Sequence, residues 1–202
     1  MTTILISTVY NPDSVLMACT KLSPDKLVLL ATKPRDDKLK KALDLIKSSL
    51  GRVLDISIVD IPEYDIVGIS KKMVDTIDSV SLEGTIVVNI TSGRKTQSLG
   101  ALFGAYARFK YVKRITYYPE GDQKGEVVQL PIMKMKLTDS QQRILDSIKA
   151  NKIQSYKTLA ENTGLSTAMV YRAVDDLIQQ GLIEKTDDEG IVLTNAGEIA
   201  IL

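Results

Sequence analysis

The chain of 202 residues contains no histidine. Imidazole is the side chain that most readily moves a proton or binds a metal near neutral pH. Its absence excludes Ser–His–Asp hydrolysis, Cys–His chemistry and every His-based metal site. Any catalysis would fall to Lys, Tyr, carboxylates or positioning alone, and no catalytic residue, metal site or cofactor is expected. Cysteine is almost absent too. The single Cys19 cannot form an internal disulfide, and its neighbours Met17 and Ala18 mark it as a small buried residue. No apolar run approaches the roughly 20 residues that cross a bilayer. The opening MTTILIST lacks the basic region and the length of a signal peptide. A cytoplasmic protein without a membrane partner is the expectation.

What is present suits a globular chain: 44% of residues are hydrophobic and 25% charged. The net charge of +1 conceals an asymmetry. Residues 1–137 hold twenty Lys/Arg against fifteen Asp/Glu, or +5, whereas residues 138–202 hold six against ten, or −4.

In the first part, apolar runs alternate with amphipathic stretches. The runs at 4–9, 27–32, 53–59, 85–90 and 114–118 are short and rich in Val, Ile and Thr, and read as strands. Most are continuous rather than alternating, which predicts strands buried on both faces, as in a parallel sheet. Helices are predicted over 13–22, 36–50, 64–82 and 95–109; the second places Leu39, Leu43 and Ile46 on one face and its lysines on the other. Such alternation specifies an α/β, Rossmann-like, mostly parallel sheet with helices on both faces. A last strand at 125–133 belongs at an edge, because Pro131 lacks a ladder N–H.

A second domain is expected over 134–202, after a first over 1–133. Thr138 or Asp139 caps a helix to about 150; further helices are expected at 155–163 and 166–180, with Gly181 just past the last. A hairpin at 182–194, its tip at 187–190, completes a winged helix-turn-helix.

Two polar loops carry the chemistry. NITSGRKT (89–96) ends the fourth strand and opens a helix, whose unpaired N–H groups and partial positive charge suit an anion. Gly93 permits a tight turn or close approach of a ligand; Arg94 and Lys95 add charge, and Thr91, Ser92 and Thr96 add hydroxyls. The segment is neither a P-loop nor a GxGxxG. STVYNPDS (7–14) follows the first strand, with Asn11 or Asp13 as the cap of the next helix and Pro12 in its first turn. The first and fourth strands of a doubly wound sheet commonly lie side by side, and ligands settle beyond their carboxyl ends. Both loops are therefore predicted to face one crevice, where Tyr10 either stacks on a base or packs on the sheet edge.

VVNITSGRKT resembles the strand-to-helix motif of CARF (CRISPR-associated Rossmann fold) domains, in which a strand ending in Asp or Asn leads to Thr, small residues and a basic residue. STVYNPD resembles the first ligand loop of that family. With the winged helix, the arrangement resembles the CARF–winged-helix regulators of archaeal CRISPR–Cas systems. The resemblance implies a homodimer whose paired pockets bind a cyclic oligoadenylate, commonly cyclic tetra-adenylate. Carried over by position, Thr8, Val9 and Asn11, with Asn89 and Thr91, Ser92, Gly93, Arg94, Lys95 and Thr96, would line the site. Ser92 stands where many members have glycine, which gives the backbone less freedom there.

In the second domain, the third helix presents Ser166, Thr167, Met169, Tyr171 and Arg172 near its start, where a recognition helix meets base edges, and Lys157 is placed for phosphate. Lys134 and Lys136 add charge at the junction. Against this, Asp175 and Asp176 follow Arg172 by one turn and residues 187–189 make an acidic wing tip, whereas DNA affinity rests on phosphate neutralisation. The leading expectation is a cyclic oligoadenylate-responsive transcriptional regulator of antiviral defence that binds double-stranded DNA as a homodimer. The alternatives are a ring nuclease that uses Arg94, Lys95 and nearby hydroxyls to cleave cyclic tetra-adenylate, and a ligand-controlled protein-interaction adaptor.

Overall fold

A computed structural model of the chain describes residues 2–119, 127–132, 137–152, 154–188 and 190–202. Backbone contacts divide it into two units, Met1–Lys134 and Met135–Leu202. The expected boundary at 133/134 lies outside the described residues, as do Lys134, Lys136 and Glu189 of the wing tip.

The first unit runs β1 (Thr3–Thr8), α1 (Pro12–Leu22), β2 (Lys26–Thr32), α2 (Asp37–Leu50), β3 (Asp55–Ile61), α3 (Ile66–Val80), β4 (Thr85–Asn89), α4 (Lys95–Ala107), β5 (Val112–Tyr117) and β6 (Val128–Leu130). Its six-stranded sheet has the order β3-β2-β1-β4-β5-β6. Every pairing is parallel except β5 with the edge strand β6. The order reverses between β1 and β4, where Ser7 lies opposite Asn89. This is the switch point that the strand count anticipates.

Alternate residues of each strand feed two cores. Ile4, Ile6, Val28, Leu30, Ile86, Val88 and Ile115 pack against α3 and α4. Leu5, Leu27, Leu29 and Val87 pack against α1 and α2, with Leu39, Leu43 and Ile46 buried on the predicted face of α2. Cys19 lies in this second core, and burial pushes its thiol up to about 11, which suppresses the reactive thiolate. The expectation of strands buried on both faces holds for β1, β2 and β4 but not for β3, where Ile61 alone is fully buried. β3 is an edge strand, so a helix covers only part of its surface.

α4 contributes little side-chain volume to its contact with α3. A Cβ on Gly100 would lie 2.6 Å from the Ile69 Cβ, and one on Gly104 would lie 2.6 Å from the Met73 Cβ. Backbone therefore meets side chain directly, and the two helices close over the sheet.

In the second unit, α5 (Asp139–Asn151), α6 (Tyr156–Thr163) and α7 (Thr167–Gln179) precede the hairpin β7 (Ile183–Lys185) and β8 (Ile191–Leu193). This is a winged helix-turn-helix. Ile144, Leu145, Ile148, Leu159, Val170, Val174 and Leu177 form its core. Thr138 caps α5 by accepting from the Gln141 N–H at 3.3 Å. A further short helix, α8 (Asn195–Ala200), is capped by Thr194 and does not figure in the sequence expectations. Among the described residues no helix is long and apolar enough to cross a membrane.

Candidate functional site

The two polar loops meet, and Ser92 ties them together at the cleft. Its Oγ accepts from the N–H of Tyr10 at 2.9 Å and of Asn11 at 2.8 Å. Ser92 is 6% exposed, so the acceptor is buried while the two bonds it receives are part-buried. Asn11 in turn caps α1, its side chain accepting from the Asp13 N–H at 3.1 Å. Of the two candidate caps, Asn11 serves. The hydroxyl at position 92 thus does structural work that a glycine could not do.

Above this junction opens a cleft of about 360 Å³, lined by residues that include Tyr10, Asn11, Lys38, Thr91, Ser92, Gly93 and Tyr118. Gly93 adopts φ +107, and a Cβ there would lie 2.5 Å from Gln97 Oε1. Both the left-handed backbone and the crowding favour glycine. Gln97 completes the turn by accepting from the Arg94 N–H at 2.6 Å. The amides of Lys95 and Thr96, in the first turn of α4, have no intrahelical acceptor by position. Gln97 lies at the third helical position, where a capping side chain belongs.

Tyr10 does more than pack at the sheet edge. Its hydroxyl donates to Asp36 Oδ2 at 3.1 Å, and the Lys38 ammonium lies 4.7 Å from its ring centroid. The Leu39 N–H, which donates to Asp36 Oδ1, and then the Tyr10 hydroxyl hold the Asp36 carboxyl below the usual carboxylate range. The same hydrogen bond to Asp36 pushes the Tyr10 phenol up.

The remaining expected ligand residues divide by depth. Thr8, Val9 and Asn89 are buried beneath the cleft. Val9 belongs to the core, and Asn89 donates to Ser7 Oγ at 3.0 Å while accepting from Thr91 Oγ1 at 2.6 Å. Asn89 therefore braces the loop from below. The Thr8 hydroxyl and the Tyr118 phenol have no hydrogen-bond partner among the described residues. Arg94, Lys95 and Thr96 lie beyond the lining, with Arg94 and Lys95 exposed. Arg94 pairs with Glu63 at 2.5 Å. Thr96 Oγ1 donates to the Glu63 carbonyl oxygen at 2.8 Å. Lys38, Glu63, Gln97 and Tyr118 were not picked out from the sequence. Of these, Gln97 alone carried a local signal, its capping position three residues after Arg94. Among the described residues no three His, Cys, Asp or Glu side chains gather as a metal site.

In the second unit, Ser166 caps α7 by accepting from the Met169 N–H at 3.4 Å. Thr167, Met169, Tyr171 and Arg172 are all exposed on that helix. Tyr171 stacks on Tyr156 at 4.3 Å between centroids and 16° between planes, which fixes its ring. The Lys185 ammonium, from the wing strand, lies 5.4 Å from the other ring of the pair, Tyr156. Lys157 is 87% exposed and only loosely faces Glu161 at 4.0 Å.

The fold and its cleft define a Rossmann-like domain followed by a winged helix-turn-helix, and residues 137–184 match the winged helix-turn-helix DNA-binding family. Residues 13–131, more than half of the chain, match the Csa3 CRISPR-associated Rossmann-like domain, and the chain belongs to that family. No curated protein matches it. Among solved structures it is similar to Can2 from Sulfobacillus thermosulfidooxidans in complex with cyclic tetra-adenylate, with 16% identity and a TM-score of 0.49 over 98% of this chain and 62% of that one. It is also similar to protein VC1899 from Vibrio cholerae, with 8% identity and a TM-score of 0.49 over 98% and 63%. A type III CRISPR defence DNA nuclease activated by cyclic oligoadenylate shows 12% identity and a TM-score of 0.47 over 86% of this chain and 33% of that one. The chain thus spans less than two thirds of the length of each.

Proposed function

We propose that the protein is a cytoplasmic, CRISPR-associated transcriptional regulator whose Rossmann-like domain binds a cyclic oligoadenylate and whose winged helix binds DNA, acting as a homodimer. The observation that carries this reading is the Ser92 junction. It sets the start of α4, with its unpaired amides, against the capped loop after β1 at the switch point of the sheet. A helix start of this kind suits phosphate, and the neighbouring cations Lys38, Arg94 and Lys95 reinforce it. Tyr10 offers a ring at the same cleft for a nucleobase, whereas Tyr118 is buried beside it. Membership of the CRISPR-associated family supports an oligoadenylate as the ligand class.

Native mass spectrometry with cyclic and linear oligoadenylates tests the reading. A dimer carrying one cyclic tetra-adenylate is the expected species. Failure of every oligoadenylate to bind at micromolar concentration overturns it, and prompt linear products would make the protein a ring nuclease instead.

DNA binding makes a separate prediction. Arg172→Ala is expected to weaken duplex binding by about tenfold or more at low salt, the usual cost of removing one base or phosphate contact. Oligoadenylate affinity should stay unchanged. Electrophoretic mobility shift and calorimetry on the same preparation measure both. A winged helix that shifts no duplex at low salt, with or without ligand, would be a protein-contact module, as its net charge of −4 over residues 138–202 also permits.

A further inference from the structure

The loop between β3 and α3 has no place in the sequence expectations, yet it reaches the start of α4 at two points. Thr96 Oγ1 donates to the Glu63 carbonyl oxygen at 2.8 Å. Arg94 Nη2 meets Glu63 Oε1 at 2.5 Å. The same guanidinium lies 5.4 Å from the ring centroid of Tyr64 and 6.0 Å from that of Tyr10. Tyr10 is a wall of the cleft, so Arg94 stands at its rim. One cation is therefore held by a carboxylate and two rings, drawn from two other loops.

Guanidinium recognises carboxylate and phosphate through the same planar fork of donors. A ligand phosphate arriving at this rim meets an arginine whose charge is already paired. The Arg94 and Glu63 side chains are 41% and 30% exposed, and an ion pair so open to solvent is weak enough to exchange. We propose that Glu63 is an affinity-setting residue of the ligand site: its carboxylate holds Arg94 until a phosphate takes its place. Binding strength is then the difference between two anion pairs on one guanidinium. The inference rests on the functional reading given above. It adds a residue that opposes binding and a loop that changes partner when binding occurs. After the exchange, the β3–α3 loop keeps its backbone tether to Thr96 and loses its side-chain tether to Arg94.

The test is Glu63→Gln, which preserves the shape of the side chain and leaves the Thr96 bond to the backbone in place. Calorimetry with cyclic tetra-adenylate compares wild type, Glu63→Gln, Arg94→Ala and the double variant, with thermal melts to establish that each is folded. Glu63→Gln is expected to bind roughly threefold to tenfold more tightly at low salt, with the gain shrinking as salt rises. Arg94→Ala should bind more weakly, and in its background the gain from Glu63→Gln should fall by at least half. Glu63→Ala, free of any amide hydrogen bond to Arg94, should shift affinity in the same direction. Affinity equal to or below wild type in both folded Glu63 variants overturns the proposal. So does an undiminished gain in the absence of Arg94, which would mark general charge repulsion. Where wild type binds and the Glu63 variants gain nothing, this proposal alone falls. Where wild type binds no oligoadenylate, the functional reading falls and takes this proposal with it.

Discussion

Replacing Ser92 by alanine is expected to cost the first unit about 2 kcal/mol and to abolish measurable oligoadenylate binding. The hydroxyl accepts from the Tyr10 and Asn11 amides, and both donors are partly buried. Removing it strands two backbone N–H groups, each worth about 1–3 kcal/mol when left unsatisfied in a buried position. Partial exposure lets water recover some of that, which places the sum near the lower end. The affinity loss is larger in proportion, because the Tyr10–Asn11 segment forms one wall of the cleft and Ser92 itself part of the floor. A thermal melt followed at the first unit and calorimetry with cyclic tetra-adenylate read the two effects. Unchanged melting would show that the junction is not a structural bond.

Gly104→Ala is expected to destabilise the first unit by about 3 kcal/mol, the upper range for overpacking a filled core. The added methyl would lie 2.6 Å from the Met73 Cβ and 2.7 Å from the Ser70 carbonyl oxygen. The second obstacle is backbone, so no rotamer change relieves it. The helices must separate, and because the loop that leads into α4 lines the cleft through Ser92 and Gly93, binding of the proposed ligand should weaken as well. The second unit has its own core and should melt as in the wild type. Differential scanning calorimetry would resolve the two transitions. A Gly104→Ala protein with the wild-type first transition would contradict the close α3–α4 contact.

Much of the architecture could be read along the chain because its signals are local. Continuous Val- and Ile-rich runs gave the strands, the spacing of Leu39, Leu43 and Ile46 gave the buried face of α2, and Asn11, Thr138 and Ser166 announced helix starts. Placing both polar loops at one crevice needed only the strand count. What the chain pattern could not supply were contacts across the topology. Ser92 reaches Tyr10 over 82 residues, and no spacing within either loop announces it. The Glu63–Arg94 pair and the Tyr156–Tyr171 stack likewise join separate elements, where surface charge and an exposed ring read as ordinary solvated groups. Depth was not legible for a similar reason. Asn89 and Thr96 carry polar atoms in a polar loop, but one points beneath the turn and the other toward the neighbouring loop. The half-buried state of β3 followed from its position at the sheet edge, which its apolar sequence did not encode.

The Ser92 junction also bears on how quickly and cheaply a guest is received. Two backbone segments that line the cleft are fastened to each other by the folding of the domain itself, so their ordering entropy is lost once, when the chain folds. A ligand that enters need not immobilise them again, and preformed walls keep more of each contact as net affinity. Under the proposed function, recognition at these walls is of the lock-and-key kind, with adjustment left to the Arg94 side chain beside Tyr10.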